Sequence, residues 1–288
     1  LVYERLISKA IDPIEKKPLF HFHPGSSSYS IATIGCNFHC PHCQNHDISQ
    51  YPQEHQEIIG HKITPEEIAN DALGYGCKSI SYTYVEPTVF FEYAYEVARL
   101  AHQLGIKNVF VSNGYLTEEA IRILAPYLDG INVDLKAFSD GFYRRLGAKL
   151  QPVLDSIKLL KELDVWVEVT TLIIPTLNDS EEELREIALF IKDVDEGIPW
   201  HVTRFHPSYK LKDLPSTPPE TLQRARRVGL GVGLRYVYEG NVLSEEGENT
   251  YCYSCGELLI KRFYFQVLEY KIQDGRCPYC KAKIDGVW

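Results

Sequence analysis

Ile31-Ala32-Thr33-Ile34-Gly35-Cys36-Asn37-Phe38-His39-Cys40-Pro41-His42-Cys43 passes from an apolar stretch, through a glycine, into three cysteines spaced C-x3-C-x2-C. The apolar run beginning at Ser30 reads as a strand, and the glycine as its exit into a loop. Three thiolates on one flexible loop can hold three corners of a four-iron cluster. An electron-transfer ferredoxin saturates its irons with four cysteines. A loop with three leaves the fourth iron open to a small molecule, so reactivity is expected.

The remaining cysteines divide cleanly. Cys252, Cys255, Cys277 and Cys280 form two C-x2-C pairs, and Cys77 stands alone. Paired C-x2-C spacing, with no signal peptide visible, favours metal ligation in a reducing cytoplasm over a disulfide framework. The two pairs resemble a zinc ribbon or a rubredoxin-like hairpin: four thiolates closing a structural zinc site, with mononuclear iron as the alternative. So short a module has little core, and a metal would supply much of its folding energy. Cys77 reads as a small buried residue.

The stretches 30–34, 79–84, 108–112, 130–135, 165–174 and 199–205 are rich in Val and Ile, and helical patterns lie between them. Thr64-Pro65-Glu66-Glu67 and Ser180 with Glu183 read as capping boxes. Alternating strands and helices imply parallel strands with right-handed crossovers. Six units suit a partial (βα)6 barrel in the α/β class, short of the eight units of a closed one. The expected division is an N-terminal flank at 1–29, the barrel at 30–243, and a linker with the four-cysteine metal module at 244–288.

In parallel α/β folds, function collects where strands end. The first predicted strand is followed by the cysteine loop, and the second by Thr83-Tyr84-Val85-Glu86-Pro87. The third leads to Ser112-Asn113-Gly114 and the fourth to Asp134-Leu135-Lys136. The fifth leads to Pro175-Thr176-Leu177-Asn178-Asp179 and the sixth to Arg204-Phe205-His206-Pro207. Any one of these reads as a turn or a cap. Six in phase with a three-cysteine loop read as one site.

The stretches IATIGCNFHCPHCQN, YTYVEPTVFFEYA, VSNGY, NVDLKAF, EVTTLIIPTLNDS, PWHVTRFHP, YVYEGNV and TYCYSCGELLIKR carry a resemblance. The chain is similar to the pyruvate formate-lyase-activating-enzyme branch of the radical S-adenosylmethionine (SAM) superfamily. More closely, it resembles the AmmeMemoRadiSam system radical SAM enzymes. The resemblance implies that Cys36, Cys40 and Cys43 ligate a [4Fe-4S] cluster. It implies that Glu86 holds the amino group of S-adenosyl-L-methionine and that Asp134 and Lys136 contact its ribose and carboxylate. It places Asn113 and His206 along the same pocket. Opposite charges suit a ligand that carries both an ammonium and a carboxylate. Two departures stand out. His42 occupies the position where many members have an aromatic residue against adenine, and Val111 replaces an acidic residue of some activating enzymes. His39, His42 and His46 read as loop residues rather than further ligands.

The implied activity is reductive cleavage of SAM to a 5′-deoxyadenosyl radical that abstracts hydrogen from a protein, peptide or small-molecule substrate. The alternatives are a glycyl-radical-enzyme activating enzyme, or an iron–sulfur and zinc electron-transfer or interaction protein that does not cleave SAM. A pure electron carrier has no use for Glu86, Asp134 and Lys136. Implied partners are a one-electron reductant such as flavodoxin or ferredoxin, and Memo-like and AMMECR-type proteins.

Composition narrows the classes. The chain has 288 residues, 44% hydrophobic, and a net charge of −9. That acidity disfavours a general nucleic-acid binder, although 250–288 has six basic against four acidic residues. No apolar run approaches the length of a membrane span, and a cytoplasmic enzyme is expected. The chain starts at Leu1, and an N-terminus that begins further upstream is expected.

Overall fold

The computed structural model describes residues 1–244 and 246–288. The described strands are β1 (Arg5–Leu6), β2 (Ser8–Pro13), β3 (Ser27–Ala32), β4 (His61–Lys62), β5 (Ser79–Tyr82), β6 (Lys107–Ser112) and β7 (Gly130–Asp134). They continue with β8 (Trp166–Ile173), β9 (Trp200–Arg204), β10 (Val237–Gly240), β11 (Thr250–Tyr251), β12 (Leu258–Phe263) and β13 (Gln266–Tyr270). The helices are α1 (His46–Ser49), α2 (Tyr51–His55), α3 (Pro65–Gly74), α4 (Phe91–Gln103), α5 (Glu118–Leu124), α6 (Asp140–Arg145), α7 (Gln151–Glu162), α8 (Glu181–Val194) and α9 (Pro219–Val232).

Eight strands form the main sheet in the order β10-β9-β8-β7-β6-β5-β3-β2. Neighbours from β3 to β10 pair in parallel. The six expected strands are all present, so the α/β partial barrel holds. A seventh parallel strand, β10, extends it. Its short Val-Tyr-Glu-Gly run gave little periodicity to read. At the other edge β2 pairs antiparallel with β3. Residues 8–13, expected as a flank, are therefore part of the sheet.

The period of two along each strand sorts the two faces. Ile80, Tyr82, Phe110, Ile131, Val133, Val167, Val169, Trp200 and Val202 form the core with the helices. The alternate positions Ser28, Ser30, Ser81, Asn132, Glu168 and His201 are buried and polar. They pair with one another: Ser28 with Ser81 at 2.5 Å, and His201 Nε2 with Glu168 at 2.7 Å. The inner face of the partial barrel thus carries buried polar groups, and residues 14–26 plug its base, with Ile14, Leu19 and Phe22 packed against Val109. The backbone N–H groups of Phe20 and His21 donate to Glu168 at 3.0 and 2.8 Å, and Asn132 Nδ2 donates to the Pro18 carbonyl at 2.8 Å.

Local signals account for the helix starts. Thr64 makes the full capping box with Glu67. Ser180 completes only half of one. Its hydroxyl accepts from the Glu183 N–H, while the Glu183 carboxylate accepts instead from the Phe138 N–H at 2.8 Å. A tertiary donor has replaced the local one.

The C-terminal strands β11, β12 and β13 form an antiparallel sheet against the base of the barrel. Arg262 of β12 is buried there. It donates to the carbonyls of Phe20 and Glu248 at 2.6 and 3.2 Å, and to Thr250 Oγ1 at 2.8 Å. Its guanidinium lies 4.4 Å from the Phe20 ring centre.

Candidate active site and metal centre

A cavity of about 260 Å³ opens where the parallel strands end. Its walls include Cys36, Cys40, Cys43, Glu86, Asn113, Asp134 and Lys136. Residues spread over a hundred positions of sequence meet there because each follows, or ends, a neighbouring parallel strand. His206 is not brought in. It is exposed, and its Nδ1 faces Ser216 Oγ at 3.3 Å. Thr203, still on β9, reaches the wall instead.

The cysteine loop leaves β3 but is tied to loops across the sheet. The His39 N–H donates to the Leu146 carbonyl at 3.0 Å, and the Lys210 N–H donates to the Pro41 carbonyl at 2.9 Å. Ser208 Oγ donates to the Cys43 carbonyl at 3.4 Å. The loop therefore crosses the mouth of the partial barrel. Burial pushes the Cys36 thiol up to about 12 and the Cys40 thiol up to about 11. Any metal bound here must displace their protons.

Glu86 is 3% exposed. Its Oε1 accepts from Thr88 N, Thr88 Oγ1 and Ser112 Oγ at 3.2, 3.0 and 2.9 Å, and its Oε2 accepts from the Asn113 N–H at 2.8 Å. Burial raises its carboxyl, and these donors pull against that rise. Asn113 Nδ2 donates to Asn37 Oδ1 at 2.7 Å, joining the end of β6 to the cysteine loop. Lys136 Nζ pairs with Asp134 at 2.9 Å. Burial alone would lower the Lys136 ammonium, but Asp134 and Cys40 outweigh it and the net shift is upward. The result is a fixed cation beside three thiols and a buried carboxylate.

Several wall residues carried no sequence signal of their own. Thr170, Leu172 and Thr203 are inward positions on β8 and β9, visible only once strand register is known. The Thr170 hydroxyl is buried without a protein partner. Tyr84 has a left-handed backbone, φ 68°, and its carbonyl accepts from Asn45 Nδ2 at 2.9 Å. His42 is buried with its ring 6.3 Å from Phe142, and burial pushes its imidazole down to about 3.

The second cysteine group lies in the C-terminal sheet. Its four sulfurs fall within 4.8 Å of one another, and it is the only such group of His, Cys, Asp or Glu among the described residues. Cys252 and Cys280 are 3.6 Å apart, and Cys255 and Cys277 are 3.7 Å apart. A tetrahedral ion with metal–sulfur bonds of about 2.3 Å sets sulfurs about 3.8 Å apart. A disulfide would need about 2 Å. Both knuckles end in a left-handed residue directly after the second cysteine: Gly256 at φ 75° and Lys281 at φ 65°.

Comparison with known proteins agrees with this geometry. A protein 47% identical over 286 residues, from Methanocaldococcus jannaschii, is uncharacterized; the match covers 98% of this chain and 85% of that protein. The pyruvate formate-lyase-activating enzyme of Clostridium pasteurianum is 23% identical over 211 residues, covering 67% of this chain and 86% of the enzyme. The crystal structure of a radical SAM methyltransferase from Sphaerobacter thermophilus shares the fold, with a TM-score of 0.58 at 15% identity, over 77% of this chain and 68% of that one. Residues 30–191, more than half of the chain, match the family model of the radical SAM superfamily, and the chain belongs to that superfamily.

Proposed function

We propose that this chain is a radical SAM enzyme acting on a protein, peptide or small-molecule substrate, with Cys36, Cys40 and Cys43 holding a [4Fe-4S] cluster. The observation that carries the reading is the one cavity shared by those thiols with Glu86, Asn113, Asp134 and Lys136. The residues fit both groups. Three sulfurs without a fourth cysteine in the wall leave room for a ligand on the remaining iron. A buried carboxylate and a fixed ammonium suit the two charged ends of SAM. When bound, the cluster and SAM supply one-electron cleavage of a carbon–sulfur bond and the 5′-deoxyadenosyl radical that takes hydrogen from the substrate.

The protein's own contribution is placement. Lys136, kept charged by Asp134, offers a cation to the SAM carboxylate. Glu86, held in place by Ser112, Thr88 and Asn113, offers carboxylate oxygen to the amino group. Asn113 sets the distance between that oxygen and the cysteine loop. Four thiolates in the C-terminal module hold zinc as a structural ion. The four-cysteine unit at 244–288 thereby serves the barrel as a base rather than as a catalytic part.

The test is anaerobic reconstitution with iron and sulfide, reduction, and measurement of 5′-deoxyadenosine released from SAM. No release from a fully loaded cluster would sink the reading. Cys40→Ala should lose the cluster and keep the C-terminal metal. Loss of both metals together would overturn the two-site division.

A further inference from the structure

The cysteine loop is anchored on both sides by segments with an excess of cations. Residues 140–149 carry Arg144, Arg145 and Lys149 against one acid, Asp140. Residues 206–213 carry Lys210 and Lys212 against one acid, Asp213. All five cations are exposed. Among the described residues none of them is in an ion pair. This concentration of positive charge stands out in a chain of net charge −9.

Its position is specific. The first segment touches the cysteine loop through the Leu146 carbonyl at His39, and a Cβ added to Gly147 would lie 3.2 Å from the His39 ring. The second touches it through the Lys210 N–H at Pro41. The two flanks therefore bracket residues 39–41, and exposed His39, which lies against Gly147, marks the outer face of the loop. Cys40 and Cys43, which line the cavity, belong to that same short loop.

We propose that this outer face and its cationic flanks form the docking surface for an acidic one-electron donor protein. The proposal rests on the radical SAM reading, because it is that chemistry which requires an electron from outside. One electron leaves the donor's reduced flavin or iron–sulfur group and enters the cluster, so the donor is oxidised by one unit and the cluster reduced by one. The occupant follows from charge and place. Five exposed cations outside any ion pair recruit a negatively charged surface and speed its encounter. A substrate must reach the cavity, whereas an electron donor needs only to sit close to the loop.

The experiment uses the full cluster-loaded chain with oxidised flavodoxin, an acidic flavoprotein, as the binding probe. Saturable binding that weakens at least tenfold between 50 and 300 mM salt is expected, in line with screening of charges. The triple variant Arg144→Glu, Arg145→Glu, Lys149→Glu should bind at least tenfold more weakly, with little remaining salt dependence. The pair Arg144→Lys, Arg145→Lys should bind like the native protein. Reduced methyl viologen, a small cation that needs no docking, should drive 5′-deoxyadenosine release equally in all three. Unchanged flavodoxin affinity in the charge-reversed variant, no salt-sensitive binding to the native chain, or loss of methyl-viologen-driven release in that variant would each overturn the docking surface. No 5′-deoxyadenosine from the native chain with methyl viologen would overturn the functional reading instead, and the binding result would still stand.

Discussion

Asn113 and Glu86 are joined across two strand ends: the Asn113 N–H donates to Glu86 Oε2 at 2.8 Å, while the Asn113 amide donates to Asn37 in the cysteine loop. One residue thus fixes both the acid and the loop. Asn113→Ala should weaken SAM binding about tenfold, the order expected from losing one aligned hydrogen bond to a neighbouring site. Iron content should be unchanged. Equal SAM affinity by calorimetric titration would remove Asn113 from the positioning role.

Glu86 is also structural. Its carboxylate accepts four hydrogen bonds. Glu86→Gln turns one acceptor into a donor among donors, which costs about 1–3 kcal/mol. Unfolding in urea without SAM should show that loss. A variant as stable as the native chain, with only SAM binding impaired, would restrict Glu86 to a ligand contact.

Arg262 links the metal module to the barrel. Arg262→Met keeps the bulk but strands the Phe20 carbonyl and leaves Glu15, 3.7 Å away and fully buried, without its cation. Breaking such a buried pair costs about 3–5 kcal/mol. The midpoint of barrel unfolding should fall, while the four-cysteine metal stays bound. A midpoint unchanged from native would mean that the module adds nothing to the barrel.

His21 predicts an acid limb. Its Nδ1 meets the Asp285 carbonyl, which can only accept, at 2.5 Å, and its Nε2 lies 2.5 Å from Tyr238 Oη, which can donate to it, so a neutral ring satisfies both contacts. Burial pushes its pKa down to about 4; Glu168 opposes that, and Arg262 and His201 reinforce it. The unfolded chain then binds one more proton as the pH falls from about 6.5 towards 4. Stability present at pH 7 should be lost over that window at up to about 1.4 kcal/mol per pH unit. His21→Gln should flatten the curve between pH 6.5 and 5. An identical slope in the variant would assign the acid sensitivity elsewhere.

The C-terminal knuckles should bind about one zinc per chain. Cys255→Ser should release it and expose the apolar residues of β12. Near-ultraviolet circular dichroism and zinc analysis check this. Full retention of zinc in the variant would refute four-thiolate ligation.

Local chemistry made the cysteine loop, the two C-x2-C knuckles and the Thr64 cap readable. Each is a short stretch whose residues interact with near neighbours. Glu86, Asp134 and Lys136 were readable because a parallel sheet delivers strand ends to one edge, so phase along the chain becomes adjacency in space. His206, expected along the same pocket, is exposed beside Ser216, and Thr203 on β9 lines the cavity there.

The sequence by itself determined the partial barrel, the separation of two cysteine groups, and the set of charged residues that could form a site. Those follow from spacing and periodicity, which are properties of the chain. Only the tertiary structure decided that β2 and β10 extend the sheet and that Thr170, Leu172 and Thr203 line the cavity. Only it showed that Arg262 reaches Phe20, and that two cationic segments far apart in sequence flank one loop. These depend on register and on contacts across the sheet, where partners are set by the packing of the whole chain rather than by their neighbours in sequence.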